Sequence, residues 1–471
     1  MSGIGRLATV FGGGVLVGQL GQVAWLAAGS RAMPLAAFGT VLAAQTLYGL
    51  LLYTFDYGSA LQGARLAAAG ALDDDARATI VWTRVRAALG VACVALLIGA
   101  AGGTSSLTAI APFAIALPLA ASMRYWEPFG LGDGRPWAAY LVLRGWGPAL
   151  AALAAIGLSR QLPVFVPGIV ECVGLVMVMF AFRLRPIADL TAASRARVGA
   201  FAATLSVGLP SVVWQLGLLS GPVMLAATRS PAAAGMLAIG VRIVTGVNQL
   251  CGIVATSLFP ATASGGGRHV ATRGAWTVVL VAGAAVSLFL LAPAWIVAFV
   301  AGPGADEAVT PAIVAVGASG AVGLLLTLTM SEIALRRERT LIVSLLVSTA
   351  LALVLYGVAA ATGDALVGAG ALVVGQLTGA ALVARRVGGL RGPALAAFAL
   401  AGATALVAAF EPARLPLAVV VLALVAVTVL RRVLPVGPAA QVRSEWTPER
   451  AARPRRSPAT SQSAQAQGSR S

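Results

Sequence analysis

The sequence predicts an all-α integral membrane protein of about fourteen transmembrane helices, and three observations carry that prediction. Hydrophobic residues make up 59% of the 471 and charged residues only 10%, against about 25% charged in soluble proteins. The mean hydropathy is +0.91, which means more apolar surface than one water-facing fold can hide. Apolar runs long enough to cross a bilayer as a helix, roughly 20 residues, recur as far as residue 434. A soluble enzyme, a secreted disulfide domain and a disordered scaffold are excluded.

The runs lie at 7–30, 36–56, 82–102, 105–123, 137–158, 162–183 and 200–227, then at 233–260, 275–301, 308–334, 340–361, 364–384, 393–410 and 414–434. The first is Gly-rich (Gly12, Gly13, Gly14, Gly18) and carries Gln19 and Gln22 three residues apart, on one helical face. It is too long for a cleavable signal and lacks a small-residue cleavage site. Between Tyr57 and Ala78 the alternation of Ala60, Leu61, Ala64, Leu66 and Ala67 with Gln62 and Arg65 predicts a short interfacial helix, ending near Asp73, Asp74 and Asp75. The third and fourth runs are parted only at Gly102 to Ser106. Pro112, Pro118, Pro148, Pro210, Pro222, Pro260 and Pro293 fall in or at runs, where proline bends a helix. Gly375 and Gly379 form a small-xxx-small contact surface. From Pro435 to Ser471 the chain turns rich in Pro, Ser, Gln and Arg and reads as a disordered basic tail.

The arginines test the count. All 33 basic residues are Arg. With the N-terminus cytoplasmic, 27 of them fall on the cytoplasmic side: Arg6, the even-numbered connections and helix ends (Arg84 and Arg86 among them), and the C-terminal end. Four, Arg31, Arg160, Arg229 and Arg414, fall outside. That asymmetry is the positive-inside pattern of fourteen spans with both termini cytoplasmic. The net charge of +17 therefore records topology and does not signal nucleic-acid binding.

The chain also repeats. LAAGSRAMPLAAFG at Leu26–Gly39 and LAATRSPAAAG at Leu225–Gly235 both place an Arg after an Ala pair, before an Ala-rich restart ending in Gly. Six spans separate the copies, so both insert in the same orientation. This implies two parallel lobes related by a pseudo-two-fold axis along the membrane normal, an arrangement transporters use. The division expected is 1–199 and 200–390 for two six-helix lobes, 391–434 for two further helices and 435–471 for the tail.

Away from helix ends, only Arg144 and Arg242 among the arginines lie inside runs, and Glu171 lies near the middle of the sixth. Ionisable groups at membrane depth are expensive and point to function. Arg144 and Glu171 differ in depth by about 8 Å at 1.5 Å per residue, within pairing reach of long side chains. Arg242 has no acid in its own or the preceding run and is expected to face a wet cavity. Gln19, Gln22, Gln45, Gln215, Asn248, Gln249 and Gln376 add uncharged polar groups, densest in the first, second, seventh and eighth runs. In a two-lobed transporter these line a central cleft; otherwise they bond helix to helix.

No enzyme motif is present: no P-loop, no HExxH and no nucleophile elbow. Cys93, Cys172 and Cys251 sit in apolar runs without CxxC spacing and read as buried small hydrophobes. His269 stands alone, so no metal site and no cofactor is expected.

Several stretches resemble the polysaccharide biosynthesis flippases of the multidrug/oligosaccharidyl-lipid/polysaccharide exporter superfamily. They are LAAGSR at Leu26–Arg31, AAFG at Ala36–Gly39, FDYGSALQGAR at Phe55–Arg65 and the basic pair Arg84 and Arg86. Gly235–Ser264, with Arg242 and Pro260, is similar to the family's eighth helix, and ALRRER at Ala334–Arg339 to its short tenth-to-eleventh turn. The resemblance implies alternating access of two lobes around a cleft, moving a polyprenyl-diphosphate-linked sugar or oligosaccharide from the cytoplasmic to the outer leaflet of a bacterial cytoplasmic membrane. Arg242 and Arg144 would hold the anionic headgroup, because guanidinium matches phosphate oxygens with paired donors. Gln19, Gln22, Gln45, Gln215 and Asn248 would meet sugar hydroxyls, and Arg31 joins this candidate set. Glu171 would serve coupling or an ion pair. The implied partners are the lipid-linked glycan, membrane lipids and polysaccharide-assembly proteins, with the transporter a monomer. A peptidoglycan-precursor flippase and a cation-coupled multidrug exporter of the same superfamily are the alternatives. A membrane glycosyltransferase is less favoured, because the outer loops scatter their acids (Asp306, Glu307, Asp364, Glu411) over three connections.

Overall fold

The computed structural model describes residues 3–56, 63, 74–123, 135–182, 198–228, 231–262, 267–302, 305–335, 337–387 and 391–410, with 416, 419, 420 and 423. Residues 1–426 form one compact unit. Most of the predicted interfacial segment, the fourteenth span and the tail lie outside the described residues.

All regular elements among the described residues are helical. The first six are α1 (Gly3–Ala32), α2 (Leu35–Asp56), α3 (Asp74–Ala101), α4 (Thr104–Ser122), α5 (Arg135–Gly157) and α6 (Val166–Ala181). Then come α7 (Val198–Ala227), α8 (Pro231–Ala261), α9 (Gly267–Leu291), α10 (Pro293–Ala301), α11 (Val309–Val316) and α12 (Ser319–Ala334), followed by α13 (Arg339–Thr362), α14 (Ala365–Val387) and α15 (Arg391–Ala409). Among the described residues nine helices are long and apolar enough to cross a membrane, and α11 with α12, bent at their joint, are so only when taken together. The protein is a multi-pass membrane protein.

Three expectations need correction. The ninth run, predicted as one helix over 275–301, breaks at Ala292, because Pro293 has no N–H to continue the ladder and starts α10 instead. The tenth run, predicted as one helix over 308–334, bends by 40° between α11 and α12. The third helix begins at Asp74, eight residues before the predicted start, because its first turns are polar and carry no hydrophobic signal. Arg84, expected near a helix end, sits inside α3, 1% exposed, and Arg86 lies 4.4 Å from the ring centroid of Trp82 within the same helix.

Tight turns follow from glycine. Gly103 (φ 89°) ends α3 before α4, and Gly363 (φ 67°) ends α13 in a left-handed conformation that side chains disfavour. Asp364 then caps α14, its Oδ1 accepting the N–H groups of Leu366 at 2.7 Å and Val367 at 3.4 Å. Asp364→Ala removes that cap and is expected to destabilise the protein by about 1 kcal/mol, read as a small drop in Tm in detergent.

Helix packing recurs along the chain. α1 packs on α5, α2 on α3 and α4, α3 on α4, α4 on α6, and α5 on α6. In the second half α7 packs on α13, α8 on α9 and on the bent α11–α12 element, α9 on α12, that element on α14, and α13 on α14. These are the same pairings shifted by six spans. α1 and α2 meet α7, α8 and α10 across the two halves, and α15 lies against α11, α12 and α14. Outward faces are apolar, with Leu97, Phe180 and Trp295 each about two-thirds exposed or more, as helices bathed in lipid require. Cys93 lies on such a face among Leu89, Val94 and Leu97 and is exposed, contrary to the expected burial; Cys172 is partly buried and Cys251 fully.

Candidate functional site

Two polar clusters form where the helices converge. The first is built on α2, α5 and α6. Tyr140 and Arg144 are one turn apart on α5, so both reach the same neighbour. That neighbour is Glu171 of α6, which is 4% exposed. Its Oε1 accepts from the Tyr48 hydroxyl at 3.0 Å and from the Tyr140 hydroxyl, and it lies 3.6 Å from Arg144 Nε. The guanidinium of Arg144 also sits 5.4 Å from the Tyr48 ring centroid. Packing holds the tyrosines: Tyr48 lies against Phe113 at 5.2 Å and both hydroxyl-bearing rings are buried. A buried carboxylate is stable only when paired and hydrogen-bonded, and here one oxygen takes two hydroxyls and a cation. Glu171→Leu leaves Arg144 with its carboxylate removed. Because Arg144 is 24% exposed, the loss is expected at the low end for buried pairs, about 3 kcal/mol, measured as a fall in Tm while Glu171→Gln keeps more of it.

The second cluster joins the two halves. Trp25 Nε1 of α1 donates to Gln45 Oε1 of α2 at 3.1 Å, and Arg242 Nη2 of α8 donates to the same oxygen at 3.3 Å. Arg242 Nε is buried with no hydrogen-bond partner, and so is Asn248 Oδ1 two turns further along α8. Below them Gln19 of α1 donates to Gln249 of α8, and Gln22 donates to the backbone carbonyl of Arg144 at 3.2 Å. Gln19 and Gln22, three residues apart, thus turn to different helices.

The remaining expected residues lie elsewhere. Arg31, at the end of α1, donates to the carbonyl of Phe299 on α10 at 3.2 Å. Gln215 is buried on α7, 3% exposed. Gln376 of α14 accepts from Trp214 Nε1 at 2.9 Å in a separate cluster, where Thr349 donates to the Val213 carbonyl at 2.8 Å and Tyr356 to that of Gly217 at 3.2 Å. Among the described residues no group of three or more His, Cys, Asp or Glu side chains is placed to hold a metal.

Tyr48, Tyr140 and Trp25 were not singled out by sequence reasoning. Their signal was available: in an apolar run, a tyrosine or tryptophan brings a polar tip that needs a partner. Buried Glu332 at the end of α12 was missed for its nearness to the predicted helix boundary.

No family model matches the chain, and no curated protein does either. Solved structures match its fold over most of its length. One is "Lipid II flippase MurJ, inward closed conformation", with a TM-score of 0.60 at 10% identity, covering 91% of this chain and 99% of that one. A second is an outward-facing multidrug resistance MATE family transporter of the MOP superfamily, with a TM-score of 0.58 at 14% identity and coverages of 84% and 96%. A third is a MOP superfamily transporter from Pyrococcus furiosus, whose "reverse polarity of binding pocket suggests different function". Its TM-score is 0.60 at 13% identity, with coverages of 85% and 96%. At these identities the likeness is one of fold, and the chain has the fold shared by the MurJ flippase and the MATE transporters of the MOP superfamily.

Proposed function

We propose that the protein is a flippase that moves a polyprenyl-diphosphate-linked sugar or oligosaccharide from the cytoplasmic to the outer leaflet of a bacterial membrane. It works by alternating access of two six-helix lobes, 1–199 and 200–390, with both termini cytoplasmic. The recurring helix pairings support the two lobes, and the arginine asymmetry supports the orientation.

One observation carries the cargo class. Arg242 is half-buried at the seam between the halves, its hydrogen bond goes to a neutral amide, and its Nε–H is buried without a partner. A partly desolvated cation in this condition is stabilised by an anion. A diphosphate supplies several oxygens of the right geometry, and arginine meets them with paired donors. The lipid tail stays in the bilayer while the headgroup crosses. Gln19, Gln22 and Asn248 offer amides for sugar hydroxyls. A cation-coupled exporter of lipophilic cations is less well served, because its carboxylate, Glu171, is already compensated by Arg144 and two tyrosines.

Deletion of the gene followed by a leaflet-resolved assay of lipid-linked glycan tests the reading. Accumulation in the cytoplasmic leaflet is expected; unchanged export would overturn it.

A further inference from the structure

We propose that Gln45 is a placeholder for the cargo anion: its side-chain carbonyl holds Arg242 while the carrier is empty and gives Arg242 up when a phosphate enters. The inference rests on Arg242 being a phosphate ligand and adds how the empty site is kept in register.

The geometry argues for an exchangeable acceptor. Gln45 is 9% exposed, and its Oε1 joins three helices, α1 through Trp25, its own α2, and α8 through Arg242. Indole and guanidinium nitrogens only donate, so the carbonyl end of the amide must face them. The two bonds are not equivalent. Trp25 donates at 3.1 Å from a ring fixed edge-on against Phe38, with centroids 5.9 Å apart. Arg242 donates at 3.3 Å, beyond the usual length for such bonds, and leaves its Nε–H without a partner. The bond from the guanidinium to the Gln45 amide is already charge-assisted on one side, but it is long, and an anionic acceptor adds attraction between opposite charges. A phosphate beside Arg242 therefore replaces one long bond to a neutral oxygen with bonds to charged oxygens, and it engages the unused Nε–H.

Gln45 does not follow Arg242, because Trp25 of α1 keeps its side-chain carbonyl in place. The bond between the two halves at this point opens as cargo binds and reforms as cargo leaves. The amide is suited to this work because it is a weak competitor. A carboxylate at the same place would hold Arg242 against the cargo, and an apolar side chain would leave the cation with nothing in the empty state.

The experiment uses the purified full-length protein in nanodiscs, with farnesyl diphosphate as the probe, inorganic diphosphate as a second probe and farnesol as the uncharged control. Affinity is read by calorimetry for the wild type, Gln45→Leu and Gln45→Glu. Removing the competing acceptor in Gln45→Leu is expected to tighten farnesyl diphosphate binding by about 10-fold, the low end for a hydrogen bond from a charged group, as its length implies. Gln45→Glu is expected to weaken it by about 10-fold or more, because a charged acceptor holds Arg242. Gln45→Glu also keeps an acceptor for Trp25, so it remains informative where Gln45→Leu fails to fold. A merely structural role for Gln45 would move both variants in the same direction or neither, and either result overturns the proposal. Wild type that binds neither probe overturns the phosphate reading of Arg242 as well, whereas wild-type binding with unchanged variants overturns only the placeholder. The opposed shifts with farnesyl diphosphate but not inorganic diphosphate assign the exchange to a lipid-borne phosphate; the same shifts with both assign it to phosphate as such.

Discussion

Arg242→Ala is expected to cut transport of the lipid-linked cargo by roughly 100- to 1000-fold while the protein inserts and folds normally. The size follows from two charge-assisted bonds to phosphate, together about 3–4 kcal/mol. The fold has little to lose, because Arg242 gives the protein one long hydrogen bond and leaves its Nε–H unpartnered. Truncating it removes a partly desolvated charge, so Tm in detergent is expected to hold or rise. Falling transport with steady or rising Tm is the signature of a binding residue. Equal loss of both, or transport at the wild-type rate in reconstituted vesicles, would show that Arg242 packs the seam and does not hold cargo.

Gly145→Val is expected to be the most destabilising single change in the described core. α1 and α5 touch backbone to backbone: a Cβ on Gly145 would stand 2.1 Å from the carbonyl oxygen of Gly18, and one on Gly18 would stand 2.6 Å from that of Leu141. Neither obstacle is a side chain that can rotate away, so the helices must separate. Overpacking of this kind exceeds the usual 1–3 kcal/mol, and a loss of about 3 kcal/mol or more is expected. Separation also breaks the bonds from Gln22 to the Arg144 carbonyl and from Trp146 Nε1 to the Val17 carbonyl, at 3.2 and 3.0 Å. Gly357→Ala is the control, because a Cβ there has no neighbour within 4 Å and alanine favours the helix. Size-exclusion profiles after a heating series distinguish the two; a Gly145→Val protein as heat-stable as the control would refute the close approach.

The helices themselves were legible in the sequence because a membrane imposes a one-dimensional rule. About 20 apolar residues in a row are visible without knowing any neighbour. The rule fails where its signal is weak. Polar first turns hid the true start of α3 at Asp74, and nothing in the run shows that Arg84, near its beginning, is buried. The break at Pro293 was announced by the proline itself, which the length of the surrounding run outweighed. The bend between α11 and α12 carries no proline, only Gly317 and Ala318 at the joint, and it depends on what packs around it.

The sequence by itself determined the class, a multi-pass helical membrane protein, and marked the few ionisable groups inside it. Both follow from the price of polarity in hydrocarbon, which each residue meets alone. Tertiary structure decided what those groups do. Glu171 lies 123 positions from Tyr48 and 31 from Tyr140, and Arg242 lies 197 from Gln45. No periodicity or spacing encodes such pairings. They arise from which helix faces turn together, and that is settled by backbone approaches such as the one between Gly18 and Gly145, where packing energy acts between segments more than a hundred residues apart.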